Sequence, residues 1–182
     1  MNSLEDQKAT AHLASMKNLP LHQFFLDGLQ DMNWAENRIV QVMPEIIKAI
    51  TAENLKDAIR QHLDETYEHV SRLEKAFLLL EEKTRAVKCK AIAGILGESD
   101  DIISETKKGS AVRDAALIMA LQKIEHYEIA SYGSLLTFSK LMEHEAVSQL
   151  LAATLMEEKT TDDVLSSLAN EYINPLALEE TT

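Results

Sequence analysis

Eight acidic and histidine side chains have the residue types and the helical spacing of metal ligands. They are Glu36, His62, Glu65, His69, Glu125, Glu128, Glu158 and Asp162. Residues three or four apart share one face of a helix, and neighbours within this set have that spacing. Sets of carboxylates with one or two imidazoles suit iron or manganese better than the Cys-rich sets of structural zinc sites. We therefore predict two bound metal ions, iron first, with manganese or zinc as alternatives.

The spacing of the histidines departs from the usual pattern of di-iron helical bundles. Those bundles pair a Glu with a His three residues later. Here Glu65 precedes His69 by four residues, and His62 precedes Glu65 by three. Either histidine could serve as a ligand, and the sequence leaves the choice between them open.

Four segments carry stripes that are apolar at both ends and polar in the middle. Their members step by three and four residues, the period of one helix face. The stripes are Phe25, Leu29, Met32, Glu36, Ile39 and Met43; Leu55, Ile59, His62, Thr66, His69 and Leu73; Leu117, Leu121, Ile124, Glu128, Ser131 and Leu135; and Val147, Leu151, Thr154, Glu158, Thr161 and Leu165. The polar middles predict one polar layer inside an otherwise apolar core.

A buried carboxylate needs a cation, a proton or hydrogen-bond donors, because burying it alone costs several kcal/mol. The stripes contain no Arg or Lys. A buried salt-bridge network is the alternative to a metal site, and it would need bases such as Arg38 or Lys123 to reach in from the flanks. The metal interpretation requires no such movement and is favoured.

One shift of 92 residues relates the first stripe to the third and the second to the fourth. This regularity indicates a duplicated helical hairpin whose two halves are joined by a crossover segment. Helices are predicted at about 20–49, 53–81, 87–107, 111–142 and 144–173. The predicted fold class is all-α, a ferritin-like four-helix bundle with an additional short crossover helix.

Breaker and capping residues define the predicted boundaries. Pro20 begins the first helix, Thr51 caps the second, and Asn174-Pro175 ends the last. The crossover contains Gly94 and Gly97 and is a candidate for a break into two pieces. Residues 1–19 are predicted to be a flexible leader, 20–174 the bundle domain and 175–182 a tail.

Composition and charge narrow the functional classes. Only 5 Gly and 3 Pro occur in 182 residues, which favours long helices. The formal net charge of −12 argues against nucleic-acid binding and against binding to an anionic membrane. A single cysteine, Cys89, fits a reducing cytoplasm, and no apolar run approaches the roughly 20 residues of a membrane span. A cytoplasmic protein is expected.

Several motifs closely resemble the YciE/YciF family of bacterial proteins. The matching segments are Trp34-Ala35-Glu36, His62-Leu63-Asp64-Glu65-Thr66, Val112-Arg113-Asp114-Ala115-Ala116-Leu117-Ile118, Glu125-His126-Tyr127-Glu128-Ile129-Ala130-Ser131-Tyr132-Gly133 and Thr154-Leu155-Met156-Glu157-Glu158-Lys159-Thr160-Thr161-Asp162. The resemblance runs from about residue 21 to 172, and the EHYEIASYG stretch is its most specific part.

The resemblance implies a ferritin-like bundle, a homodimer, a bacterial cytoplasmic protein linked to stress responses, and a dinuclear metal centre. It implies ligands at Glu36, Glu65, Glu128 and Glu158, with Glu125, His62 and Asp162 nearby. It carries over less firmly to His69, because glutamine can occupy that position in relatives. It leaves the reaction open.

Three hypotheses follow for function. The first is a dinuclear iron or manganese protein that reacts with oxygen or peroxide in stress protection. The second is a non-catalytic stress protein in which the metal stabilises the bundle. The third is an interaction module with a polar core and no metal. Metal content separates the third from the other two, and peroxide turnover separates the first from the second.

Overall fold

The computed structural model describes residues 16–181, which form helices and connecting turns with no strand. The helices are α1 (Pro20–Ala49), α2 (Glu53–Leu79), α3 (Lys90–Glu105), α4 (Ala111–Leu141), α5 (Glu145–Leu168) and α6 (Asn174–Glu179). A π-helical turn, Ala169–Ile173, joins α5 to α6. The predicted all-α bundle of four long helices with a short crossover helix is confirmed. The predicted leader falls largely on residues 1–15, outside the described residues, and stays a prediction.

The four long helices form two hairpins. Short connections link α1 to α2 and α4 to α5, so the two helices of each hairpin run antiparallel. α2 packs against α5, α1 packs against α4, and the crossover helix α3 lies against α1 and α4. The segment before α3 is tied to α1, because the backbone N–H of Val87 donates to the carbonyl of Gln30 and the Asn33 amide donates to the carbonyl of Arg85. Within residues 16–181, none of the helices combines the length and the apolar composition that a membrane span requires.

Three predicted boundaries differ from the structure. The N-cap of α2 is Ala52 and not Thr51. The Asp114 carboxylate of α4 caps this end instead, because it accepts hydrogen bonds from the backbone N–H groups of Thr51 and Ala52, each at 2.8 Å. The crossover helix is one piece despite its two glycines. The helical path also continues past Pro175 to Glu179, because proline is tolerated in the first turn of a new helix.

The start of α4 follows its prediction. Gly109 adopts a left-handed φ of 81°, and the Ser110 side chain then accepts from the N–H of Arg113 as an N-cap. The buried Asp114 lies in the same turn. The first turn of α4 therefore supplies the caps of two helix N-termini, its own through Ser110 and that of α2 through Asp114.

The apolar core is divided into two clusters along the bundle. One contains Ile39, Met43, Leu117 and Leu121 and extends to the crossover helix; the other contains Phe25, Leu29, Leu73, Leu135 and Leu151. Between them lies a layer of buried polar side chains drawn from all four long helices. The predicted polar layer is therefore present at mid-height of the bundle.

Candidate metal centre

The polar layer contains two overlapping sets of side chains that could hold metal ions. The first set is His62, Glu125, Glu128 and Glu158, and the second is Glu36, His69 and Glu158. In each set the candidate ligand atoms lie within 4.8 Å of one another. Every member is at most 1% exposed. Glu158 belongs to both sets, which places the two groups side by side around one shared carboxylate.

Helical geometry explains why these residues meet. His62 and His69 are seven residues apart on α2, which is close to two full turns, so both point from one face. Glu125 and Glu128 are three apart on α4 and share its inner face. Glu36 and Glu158 come from the middle of α1 and α5. The apolar ends of all four stripes fix the depth at which these middles face each other.

The two imidazole rings make short contacts with the carboxylates. His62 Nε2 lies 3.4 Å from Glu125 Oε1. His69 Nδ1 lies 2.9 Å from Glu158 Oε1 and 3.6 Å from Glu36 Oε1. Each histidine therefore presents one ring nitrogen to the cluster, and one histidine lies in each set. Which of them binds metal stays a prediction.

The other ring nitrogens are held by groups outside the two sets. Thr161 Oγ1 lies 3.2 Å from Nδ1 of His62. Glu157 Oε2 lies 2.9 Å from Nε2 of His69, and Arg72 binds the same Glu157 carboxylate through both of its terminal nitrogens. A partner on the distal nitrogen fixes the tautomer and orientation of a ligating imidazole.

Many of the buried carboxylate oxygens have no hydrogen-bond partner among the described residues. These atoms are Glu36 Oε2, both oxygens of Glu125, Glu128 Oε1 and both oxygens of Glu158. Such atoms are expensive unless a cation or a proton compensates them. Several unpartnered carboxylate oxygens and two imidazole nitrogens converge here and could hold a metal ion, so the residue types fit the predicted ions.

No Arg or Lys forms a salt bridge with the carboxylates of the two sets in the described part of the chain; Arg72 reaches only the edge of the layer, where it pairs with Glu157 and contacts Thr154. Arg38 hydrogen-bonds to Gln41 on the surface, and Lys123 pairs with Glu98 there. Neither contacts the buried carboxylates. Among the residues of the layer, only a protonated histidine could offset part of the negative charge.

The pKa values of three ionisable groups in the layer are raised. Burial, followed by the charges of Glu158 and Glu36, raises the pKa of Glu128 well above its usual range. Burial and then Glu158 raise the pKa of Glu125 in the same way. Burial alone would lower the pKa of His69, but the Glu158 and Glu36 carboxylates beside its ring raise it to about 11. The metal-free layer therefore retains protons that a metal ion would displace.

Two of the predicted ligands lie outside both sets. Glu65 is about 29% exposed and accepts from the Gln61 amide. Asp162 accepts from the Gln122 amide and lies 3.7 Å from the exposed His126. Both share a helix with members of the sets, but a rotation along the helix turns their carboxylates toward the edge of the layer. The structure brings together the other six predicted residues; their role as metal ligands stays a prediction.

Tyr132 is a buried residue of the layer that belongs neither to the stripes nor to the eight predicted ligands. The third stripe assigns Ser131 to the core, whereas Tyr132 is fully buried and Ser131 is only partly so. The Tyr132 hydroxyl donates to Glu36 Oε1, and its ring lies edge-on to that of His69. Burial, together with Glu36 and Glu128, raises the pKa of this phenol, which keeps it a donor. Its position four residues after Glu128, one helical turn away, is the signal that could have identified it.

The fold and the polar layer together define a class of protein, an all-helical bundle with buried carboxylates and histidines between two apolar clusters. Residues 20–177 match the family described as "Domain of unknown function (DUF892)", and the chain belongs to that family. The resemblance to the YciE/YciF family is confirmed, since the chain is 37% identical to Protein YciF of Escherichia coli (strain K12) over 158 residues, 86% of this chain and 95% of that protein.

Solved structures show the same architecture. The crystal structure of the E. coli stress protein YciF has a TM-score of 0.80 and 36% identity, covering 85% of this chain and 97% of that one. YcfI from Rhodopseudomonas palustris has a TM-score of 0.79 and 33% identity over 84% and 97% of the two chains. The XCC3681 protein of Xanthomonas campestris, at 19% identity, a TM-score of 0.67 and coverage of 86% and 94%, shows the fold alone.

Proposed function

We propose that this protein is a ferritin-like dinuclear metal protein that binds two iron ions, or manganese in their place, and reacts with oxygen or peroxide under stress. The observation that carries the proposal is the pair of buried ligand sets that share Glu158. The likeness to a stress protein of E. coli supports the physiological setting. A homodimer in the cytoplasm is part of the proposal.

The first set, with His62, would hold one ion, and the second set, with His69, would hold the other. The ions would supply Lewis acidity and, for iron, the electrons that a small oxidant accepts. The chain's own residues would orient and insulate this chemistry. Tyr132 holds the Glu36 carboxylate in place, and Glu157 holds the His69 ring.

The apolar clusters on both sides keep bulk water from the layer, which strengthens the electrostatic interactions inside it.

Metal content is the decisive measurement for the binding part of the proposal. Elemental analysis of protein purified without added metal, together with anomalous scattering from crystals, should find two ions per chain in the layer. The variant Glu158→Gln should lose both, because both sets use this carboxylate. Asp162→Asn is the matched control on the same helix and should retain two ions. Trace metal in wild-type protein, with no thermal stabilisation on adding iron or manganese, would refute the proposal.

The reaction needs its own measurement. The iron-loaded protein should consume hydrogen peroxide or oxidise ferrous iron faster than the Glu158→Gln variant at equal total iron. A protein that binds two ions but does neither would support the alternative, in which the metal only stabilises the bundle. Sedimentation equilibrium tests the dimer, and a monomer at micromolar concentration would contradict that part.

A further inference from the structure

A small cavity on the face between α2 and α5 reaches the metal layer from the surface. Its volume is about 80 Å³, which leaves room for only a few water molecules. It is lined by Ala58, Gln61, His62, Glu65, Thr160, Thr161, Val164 and Leu165. His62 is the member of this lining that also belongs to a ligand set.

Glu65 is the acidic residue among those that line this cavity. It is 29% exposed, so it meets solvent while it remains part of the cavity. The Gln61 amide donates to its Oε1 at 3.0 Å and holds the carboxylate in place. Its other oxygen lies 4.0 Å from Nδ1 of His62. A fixed, partly exposed carboxylate beside a buried anionic layer attracts cations from solution.

The His62 ring separates this cavity from the ligand set. Its Nδ1 faces Thr161 and Glu65 on the cavity side. Its Nε2 faces Glu125, 3.4 Å away, on the inner side. An ion held at Glu65 is therefore one imidazole ring away from the first set, and a rotation of that ring would pass the ion inward.

Two larger cavities offer no such path. The cleft of about 490 Å³ between α1 and α3 is lined by two bases, Arg38 and Lys88, against one acid, Asp100, and touches no member of either set. The groove of about 390 Å³ between α1 and α4 is mainly apolar and likewise touches none. Cationic or apolar walls do not favour the approach of a divalent cation.

We propose that the α2–α5 cavity is the entrance by which divalent metal ions reach the centre, with Glu65 as the capture residue and His62 as the gate. This inference rests on the proposed function, since it assumes that the layer binds metal. It assigns a role to Glu65, which the sequence predicts as a ligand and the structure places outside both sets. The entrance is also narrow enough to exclude organic substrates.

The rate of metal uptake tests the entrance separately from metal binding itself. Metal-free protein is mixed with Co²⁺ in a stopped-flow instrument, and the absorbance of the bound ion is followed. Glu65→Gln keeps the shape of the side chain and removes its charge, so uptake should slow roughly tenfold at low salt. The difference should shrink in high salt, because exposed charges are screened. The matched control is Glu74→Gln, an exposed acid farther along α2.

A second variant blocks the cavity without changing charge. Ala58→Leu fills part of its volume and should slow uptake at every salt concentration. Ala130→Leu, in the α1–α4 groove, is its control and should not. Both cavity variants should still bind two ions at equilibrium.

Each contrary result points to a different error. Unchanged uptake rates in both cavity variants would overturn the entrance while leaving the metal centre intact. Loss of a bound ion from Glu65→Gln at equilibrium would make Glu65 a ligand and overturn its capture role. Failure of wild-type protein to bind Co²⁺ at all would overturn the proposed function, and the entrance with it.

Discussion

Replacing Glu128 with methionine should stabilise the metal-free protein and destabilise the metal-loaded one, relative to wild type. Glu128 is 1% exposed, and its Oε1 has no hydrogen-bond partner. An unsatisfied buried polar group costs about 1–3 kcal/mol, so Glu128→Met should raise the free energy of unfolding by about that amount. For a chain of this size, the melting temperature should rise by roughly 2–12 °C. Methionine has a similar length and fills irregular core gaps.

The pH dependence of this gain follows from the raised pKa of Glu128. The folded state keeps the Glu128 proton to higher pH than the unfolded chain does, because the pKa of this carboxyl is about 4.5 when the chain is unfolded. Wild-type stability therefore falls as pH rises from that value toward the folded-state pKa, because the unfolded state releases the proton first. Glu128→Met lacks this loss, so its advantage over wild type should grow between pH 5 and pH 8.

Metal should reverse the order of stability. At a free metal concentration 1,000 times Kd, each intact site adds about 4.1 kcal/mol to the wild type, more than the about 1–3 kcal/mol that Glu128→Met gains without metal. The variant lacks one ligand of the first set and should gain much less. Thermal unfolding with and without chelator, at several pH values, measures both effects, with Glu74→Met as an exposed control expected to change stability by less than about 0.5 kcal/mol. A metal-free variant less stable than wild type at pH 7 would refute the argument that Glu128 is uncompensated without metal.

Three further outcomes are expected. Metal affinity should rise with pH, because a metal ion displaces the protons that Glu125 and Glu128 retain through their raised pKa values. Calorimetric titration in two buffers of different ionisation enthalpy should detect the release of protons on binding. Binding without proton release would contradict this prediction. Glu157→Gln weakens the hydrogen bond to the distal nitrogen Nε2 of His69. The Kd for metal should therefore rise about 10- to 100-fold, with two ions still bound at saturation. Equilibrium dialysis measures both quantities. Asp114→Ala removes the acceptor for two N–H groups at the start of α2 and should lower the free energy of unfolding by about 0.5–2 kcal/mol in denaturant titration, with unchanged metal stoichiometry.

The residues that could be predicted from sequence are those fixed by helical periodicity alone. The 3.6-residue period places Glu36, Glu128 and Glu158 on inward faces whatever partners the helices find. Because apolar residues continue each stripe above and below, the depth of the carboxylates is also determined. The crossover segment and the four long helices follow from the same pattern and from sparse Gly and Pro.

The remaining features depend on tertiary geometry that periodicity cannot specify. Neighbouring positions differ by about 100° around a helix, so the exact rotation decides between Ser131 and Tyr132. The same rotation places Glu65 at the edge of the layer although it lies between two buried histidines in sequence. The cap of α2 comes from Asp114, more than sixty residues away, and no local signal near Thr51 could reveal it.

The unequal membership of the two ligand sets has a consequence for how the protein fills with metal. One set offers three carboxylates and an imidazole, and the other offers two carboxylates and an imidazole, with Glu158 counted in both. In the proposed dinuclear centre, the first ion would neutralise the shared carboxylate, so the second ion would meet less negative charge and fewer donors. Loading should therefore occur in two separate steps, with a half-filled state over a range of metal concentrations. The number of ions bound per chain would then rise gradually with the metal concentration rather than at a single threshold.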